Sequence, residues 1–313
     1  MDETAEQIGE KINSLGLWKV ATSFNWGVKP HGIAYPYFCT VLRDGGPLVD
    51  YRLLMLDGWR TLHDFVRTRA DGNFGFYSSP MEFPHFELIV LRSGKTEISR
   101  NDPGFVPRRI TARENALVAR ILWETYGILM RIESEKDLPV KFAGERAMFA
   151  RIESPDGKWT DAPLAIPDAP PHTETVSLSR ALVAKAKDLP FEKDRAVEMD
   201  FRINPALVTK DARQRLVYTL AIADVATGEA LGSCNFSVAP KDGSLADLWQ
   251  PLAGIVLERF VSLGWMPGEI KMMSGRLFRM LRPLCLELPL KISLHDSLPA
   301  LSKLQTKGKT GNG

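Results

Sequence analysis

The chain has 313 residues, 44% hydrophobic and 25% charged, a composition that excludes disorder as the default state and leaves room for two domains of ordinary size. Its 40 basic and 38 acidic residues give a formal net charge of +2, too even a balance to imply a nucleic-acid footprint or attraction to an anionic membrane. Three cysteines, Cys39, Cys234 and Cys285, form no CxxC pair and no zinc-ligand spacing, which argues against a disulfide framework and for a reducing compartment.

The opening residues MDETAEQ are acidic and lack the apolar core of a signal peptide. The longest uncharged stretches run about a dozen residues, against the roughly 20 that a membrane helix needs. A cytoplasmic protein is expected.

Residues 3–20 read as a helix. The β-rich runs 32–42 and 47–56, separated by Arg43-Asp44-Gly45-Gly46, read as a hairpin. Asp57 stands at an N-cap position, and Trp59, Leu62, Phe65 and Val66 follow at helical spacing with one face inward. A Gly/Ser/Pro-rich stretch from Asp71 to Pro84 leads into the apolar run HFELIVL, residues 85–91. Thr111-Ala112-Arg113-Glu114 is a capping-box pattern. The helix it opens carries an apolar stripe of Leu117, Val118, Ile121, Leu122, Ile128, Leu129 and Ile132, expected to be core.

Residues 145–153 and a run ending at Ile166 flank the turn Pro155-Asp156-Gly157. Three prolines between residues 167 and 171 then mark a linker. The expected layout is a domain of residues 1–170, a second of 171–305, and a disordered Lys/Gly-rich tail of 306–313.

Past a helix at 178–188, the segment 196–203 alternates strictly: Val197, Met199, Phe201 and Ile203 on one face, Glu198, Asp200 and Arg202 on the other. That pattern predicts a half-buried strand whose polar face meets solvent. Residues 215–225 and 230–238 form a second hairpin, completing three antiparallel strands. A helix follows over Leu248–Leu263, with Pro251 near its first turn, and then two strand-helix units, strands 268–273 and 290–294. The fold class is therefore α/β of the α+β kind, in two domains. The second is a mixed sheet in the order strand-strand-strand-helix-strand-helix-strand-helix, the succession found in the ribonuclease H-like fold.

Several segments carry a resemblance. AYPYFCTVLRDGG, the segment leading to Gly58-Trp59, and DPGFVPRRITARENALVARILWE on one side, with GWMPGEIKMMSGRLFRMLRPL and LKISLHDSLPAL on the other, resemble a bacterial two-domain family of domains of unknown function. The resemblance implies a domain layout. It implies no activity, no cofactor and no catalytic residues.

No nucleophile elbow, phosphate loop, HExxH or dinucleotide-binding spacing occurs. The five histidines, His31, His63, His85, His172 and His295, are dispersed and read as surface or capping groups, with His63 on the exposed side of its helix. Arg108, Arg109 and Arg113 cluster at a helix start, where backbone N–H groups also favour anions, though a solvated helix end is the simpler reading.

If strands 268–273 and 290–294 run parallel, the turns Ser274-Gly275-Arg276 and His295-Asp296-Ser297 emerge at one sheet edge, where open α/β sheets bind ligands. Ser274 and Ser297 or Asp296 also suit helix capping. These six residues are the candidate edge for an anion or small ligand. The expected function is a non-enzymatic cytosolic binding or protein-interaction protein, another protein being one candidate partner. The alternative is a divergent metal-dependent nuclease or phosphoesterase, with Asp200 on the first strand and Asp224, Asp296 or Glu258 as further ligands.

Overall fold

The computed structural model describes residues 3–16, 24–43, 48–70, 83–132, 134–138, 140–142, 144, 146–170, 175–209, 212–240 and 245–310. The chain forms two units: Met1–Val66, Phe83–Asp102 and Pro107–Pro171 in the first; Arg67–Glu82, Pro103–Val106 and His172–Gly313 in the second.

The first unit opens with α1 (Ala5–Leu15), capped reciprocally by Thr4 and Gln7. It is shorter than the 3–20 expected, because Gly16 takes the left-handed conformation at φ 61° and ends it; residues 17–23 lie outside the described ones. The sheet has the order β6 (Arg108–Arg109), β5 (Thr96–Asn101), β4 (His85–Leu91), β3 (Val49–Asp57), β2 (Tyr37–Leu42), β1 (Asn25–Lys29), β7 (Ala147–Glu153), β8 (Trp159–Ala165). Neighbours are antiparallel except β1 and β7. The β2–β3 and β7–β8 pairs are hairpins at the places expected. β1 and β5 escaped the sequence reading because both are short and carry polar or Gly residues that dilute the alternation.

One sheet face meets α1 and α3 (Ala112–Ile132), with Ile8, Ile12, Val118, Ile121 and Leu122 packed on Trp26, Val41, Met55 and Leu88. The expected capping box is formed: Glu114 N–H donates to Thr111 Oγ1 at 3.3 Å, and Thr111 N–H to Glu114 Oε2 at 2.8 Å. Beyond its cap, Glu114 also receives both terminal nitrogens of Arg108, at 2.6 and 2.7 Å, so this arginine is spent within the fold.

On the other face α2 (Gly58–Ala70) buries Leu62 and Phe65. Val66, expected to point inward, is 55% exposed. His63 is half-buried rather than exposed. His85, expected at the surface, sits fully buried on β4, its Nδ1 3.0 Å from the Phe83 carbonyl, with Glu87 and Arg52 paired beside it at 2.8 Å.

The second unit has the sheet order β11 (Ala230–Phe236), β10 (Leu216–Asp224), β9 (Phe191–Val208), β12 (Met266–Met272), β13 (Lys291–Leu294). β9, β10 and β11 form an antiparallel meander as expected, and β12 and β13 add on the far side of β9, both in parallel. The core face of β9 carries Val197, Met199 and Phe201 against α4 (Arg180–Lys187), α6 (Leu252–Leu263) and α7 (Gly275–Glu287). The helix expected over 248–263 is in fact two. α5 (Ala246–Trp249) stops before Pro251, which caps α6, since proline lacks the N–H that a continuous helix needs. α8 (Pro299–Thr310) covers the opposite face through Leu298, Ala300 and Leu301 on Ala223. The backbone thus stays helical through residues expected to be a disordered tail; residues 311–313 lie outside the described ones.

Where β12 passes β9, a Cβ on Gly268 would stand 1.9 Å from the Lys193 carbonyl oxygen. Gly268→Ala must therefore push the two strands apart, and denaturant unfolding is expected to give a loss of about 3 kcal/mol or more. In the first unit, burial pushes the His85 pKa down, outweighing the Glu87 carboxylate that raises it. A lowered folded pKa means the unfolded chain takes up the proton first, so stability from this site is lost as pH falls below about 6.5. Urea midpoints between pH 7.5 and 5 are expected to fall less steeply for His85→Leu than for the natural chain.

Candidate functional site

The turn after β12 is closed by its own serine. Ser274 is buried, and its Oγ accepts the Leu277 N–H at 3.1 Å as the N-cap of α7. Gly275 is the first helical residue. Arg276 lays its guanidinium over the Trp249 ring, 4.1 Å from the centroid, a cation–π contact that directs it into the helix layer.

The turn after β13 is built differently. His295 N–H donates to the Met272 carbonyl at 2.8 Å, extending the parallel pairing past Leu294. The His295 Nε2 lies 2.9 Å from Ser293 Oγ, which donates to Glu269 at 2.8 Å. Asp296 and Ser297 are exposed. Neither takes the Leu301 N–H in the first turn of α8. That donor goes to Glu198 Oε2 on β9 at 2.9 Å, from a side chain in a residue only 3% exposed. Glu198 was expected to face solvent. It instead supplies the negative charge that a helix N-terminus favours, because α8 folds back over the polar face of β9.

A pocket of about 370 Å³ opens beside this cap. Lys271, whose strand position pairs with Glu198, and Lys303 of α8 border it, together with His295, Ser297 and the turn Val225–Gly228. Of the six residues read as one edge, His295 and Ser297 line the pocket, while Ser274, Gly275, Arg276 and Asp296 do not. Sequence reasoning missed Glu198, Lys271 and Lys303. The signal for Glu198 was the final helix itself: a helix after the last strand must cover one sheet face, and the core face was already taken by the earlier helices.

The turn in the pocket wall is shaped by Asp224. Its Oδ1 accepts the Ala226 and Thr227 N–H groups at 2.9 Å each, and Oδ2 accepts Arg195 Nε at 2.6 Å. Burial pushes its carboxyl pKa up, but the Thr227 N–H and the Arg195 guanidinium outweigh this and hold it below the ordinary value. Arg195 in turn stacks over Trp265 at 3.6 Å.

Asp200 lies elsewhere. It pairs with Ala221 on β10, whereas Asp224 pairs with Val197. Since 221 and 224 are an odd number of residues apart, the two carboxylates occupy opposite sheet faces. Glu258 is exposed on α6 and Asp296 exposed in the last turn. Among the described residues no group of three or more His, Cys, Asp or Glu side chains is placed to hold a metal ion.

The fold and pocket define this half of the chain as a mixed α/β domain, with a helix on the second sheet face held by a buried carboxylate. Residues 182–307, from α4 to α8, match the family described as a domain of unknown function, DUF6930. No curated protein matches the chain. Among the described residues no helix is long and apolar enough to cross a membrane.

If Glu198 is what fixes α8, Glu198→Ala leaves a buried N–H without its acceptor, a loss of about 1–3 kcal/mol. Glu198→Gln keeps an acceptor oxygen and is expected to lose less. Hydrogen exchange at the Leu301 amide should speed up in the alanine variant and stay close to the natural rate in the glutamine variant.

Proposed function

We propose that this protein is a non-enzymatic binding protein of the cytoplasm, and that its second unit, of ribonuclease H-like topology, holds an acidic group in the pocket beside α8. The observation that carries this reading is the way the acids near the pocket are spent. Glu198 caps α8, and Asp224 shapes a turn and pairs with Arg195. What borders the opening is basic: Lys271, whose Nζ stands 4.0 Å from Glu269 Oε2, and Lys303, with His295 between strand and helix. Two ammonium groups around a 370 Å³ pocket suit a carboxylate or phosphate of a partner's side chain or terminus. The topology reading rests on the central position of β9, with its meander on one side and two parallel strands on the other. The free cysteines support a reducing compartment.

The nuclease alternative needs carboxylates from separate elements within about 4 Å of shared metal ions. The opposite-face placement of Asp200 and Asp224 works against it.

Thermal stability in a phosphate, sulfate and nucleotide series tests the reading, since a ligand that binds only the folded state raises Tm. The natural chain is expected to gain Tm, the Lys271→Ala/Lys303→Ala variant to gain little, and Arg276→Ala to respond as the natural chain does from a lower baseline. Equal gains in the lysine variant, or turnover by the pure protein in a hydrolase panel that Asp200→Asn abolishes, would sink the proposal.

A further inference from the structure

A second cavity, of about 200 Å³, lies under α8 on its β10–β11 side. Leu301 and Leu304 form its roof, and Ala221 and Gly232 its floor. The charged part of its wall comes from β9, and Ser233 of β11 adds a hydroxyl. Asp200 and Arg202, two residues apart on the strand, face the same way by alternation.

The pair does not close on itself. Arg202 Nε stands 3.6 Å from Asp200 Oδ2, too far for a hydrogen bond. The carboxylate has given up water, only 16% of its side chain remaining exposed, without a short contact from its cation. Burial accordingly pushes its pKa up, more than Arg202 and the Phe201 backbone N–H together lower it. Small apolar walls with a few convergent polar groups are the usual make-up of a small-molecule site, and a desolvated carboxylate in a cleft marks such sites more often than chance.

We propose that the slot under α8 binds a small, neutral, planar molecule carrying an N–H donor next to a carbonyl acceptor, the edge of a lactam or a primary amide. The N–H donates to Asp200, and the carbonyl accepts from Arg202. Charge selects neutrality: a cationic guest meets Arg202 and an anionic one meets Asp200. Size selects a single ring, since the volume lies below the roughly 300–1,000 Å³ of drug-sized pockets. This site adjoins the Lys271 pocket through Leu304 but does not depend on it, because the two differ in the charge of the guest they accept.

The test is an amide-resolved NMR titration of the full chain with uracil and benzamide, against 1,3-dimethyluracil and N,N-dimethylbenzamide, which lack the donor. The expected result is shifts at Ala221, Gly232 and Leu301 with the first pair and none with the second. Affinity should weaken about tenfold in Asp200→Asn, the scale of one hydrogen bond to a charged group, and vanish in Asp200→Leu. Both variants should melt no lower than the natural chain, because a carboxylate that serves a ligand is a cost to the empty fold. The proposal is overturned if neither parent compound shifts these amides, if the methylated compounds do so equally, if Asp200→Leu binds as before, or if both variants melt lower, which would make Asp200 a structural group.

Discussion

One buried carboxylate organises the second unit. Glu198 sits on the central strand, away from the main core, and accepts the Leu301 N–H of a helix drawn from the other end of the domain. An ionised group at this depth is costly unless its charge meets donors. The first turn of α8 provides a backbone donor together with the positive end of the helix dipole. Once the cap is fixed, much else follows. Leu298, Ala300 and Leu301 settle on the small residues of β10, Lys271 and Lys303 come to border one pocket, and Asp200 is left beneath a helix instead of in water.

The first unit handles its buried polarity by networks instead of a single cap. Arg151 bridges Glu124 at 2.8 Å and Asp161 at 3.0 Å, and Arg131 joins Asp161 at 2.7 Å and Glu135 at 2.7 Å. The Asp161 carboxyl is held down to about 2, chiefly by Arg131 and against its own burial. Linked pairs of this sort bring helix and strand into one register, since each guanidinium must find its carboxylates together. The hydrophobic layer between α1, α3 and the sheet provides the larger share of the stabilisation, as apolar burial does in most domains.

What could be read from the sequence tracks how local the responsible interaction is. The Thr111–Glu114 box spans four residues and showed plainly, as did the β2–β3 and β10–β11 hairpins, whose turns adjoin their strands. The alternation of β9 revealed which residues enter the core. It did not reveal that the polar face is also covered, because the covering helix lies about a hundred positions further on and period-2 patterning says only that two faces differ. Ser274 was legible as a cap from its own turn. Arg276 was not legible as a stacked residue, since Trp249 reaches it only through the packing of α5 against α7. The pocket escaped the same way: Lys271, His295 and Lys303 come from three elements, and no spacing links them.

The bond between Glu198 and Leu301 spans 103 positions of chain. At synthesis rates of about 5–20 residues per second, the carboxylate waits roughly 5–20 s on the ribosome before its partner has even been made. For that interval β9 can pair with β10 as a local hairpin, yet the polar face must stay wet, because an acid of this kind resists burial until its donors arrive. The nascent domain is therefore open on that side until α8 is made, and the same glutamate that caps the helix in the finished fold keeps the uncovered face hydrated in the unfinished one.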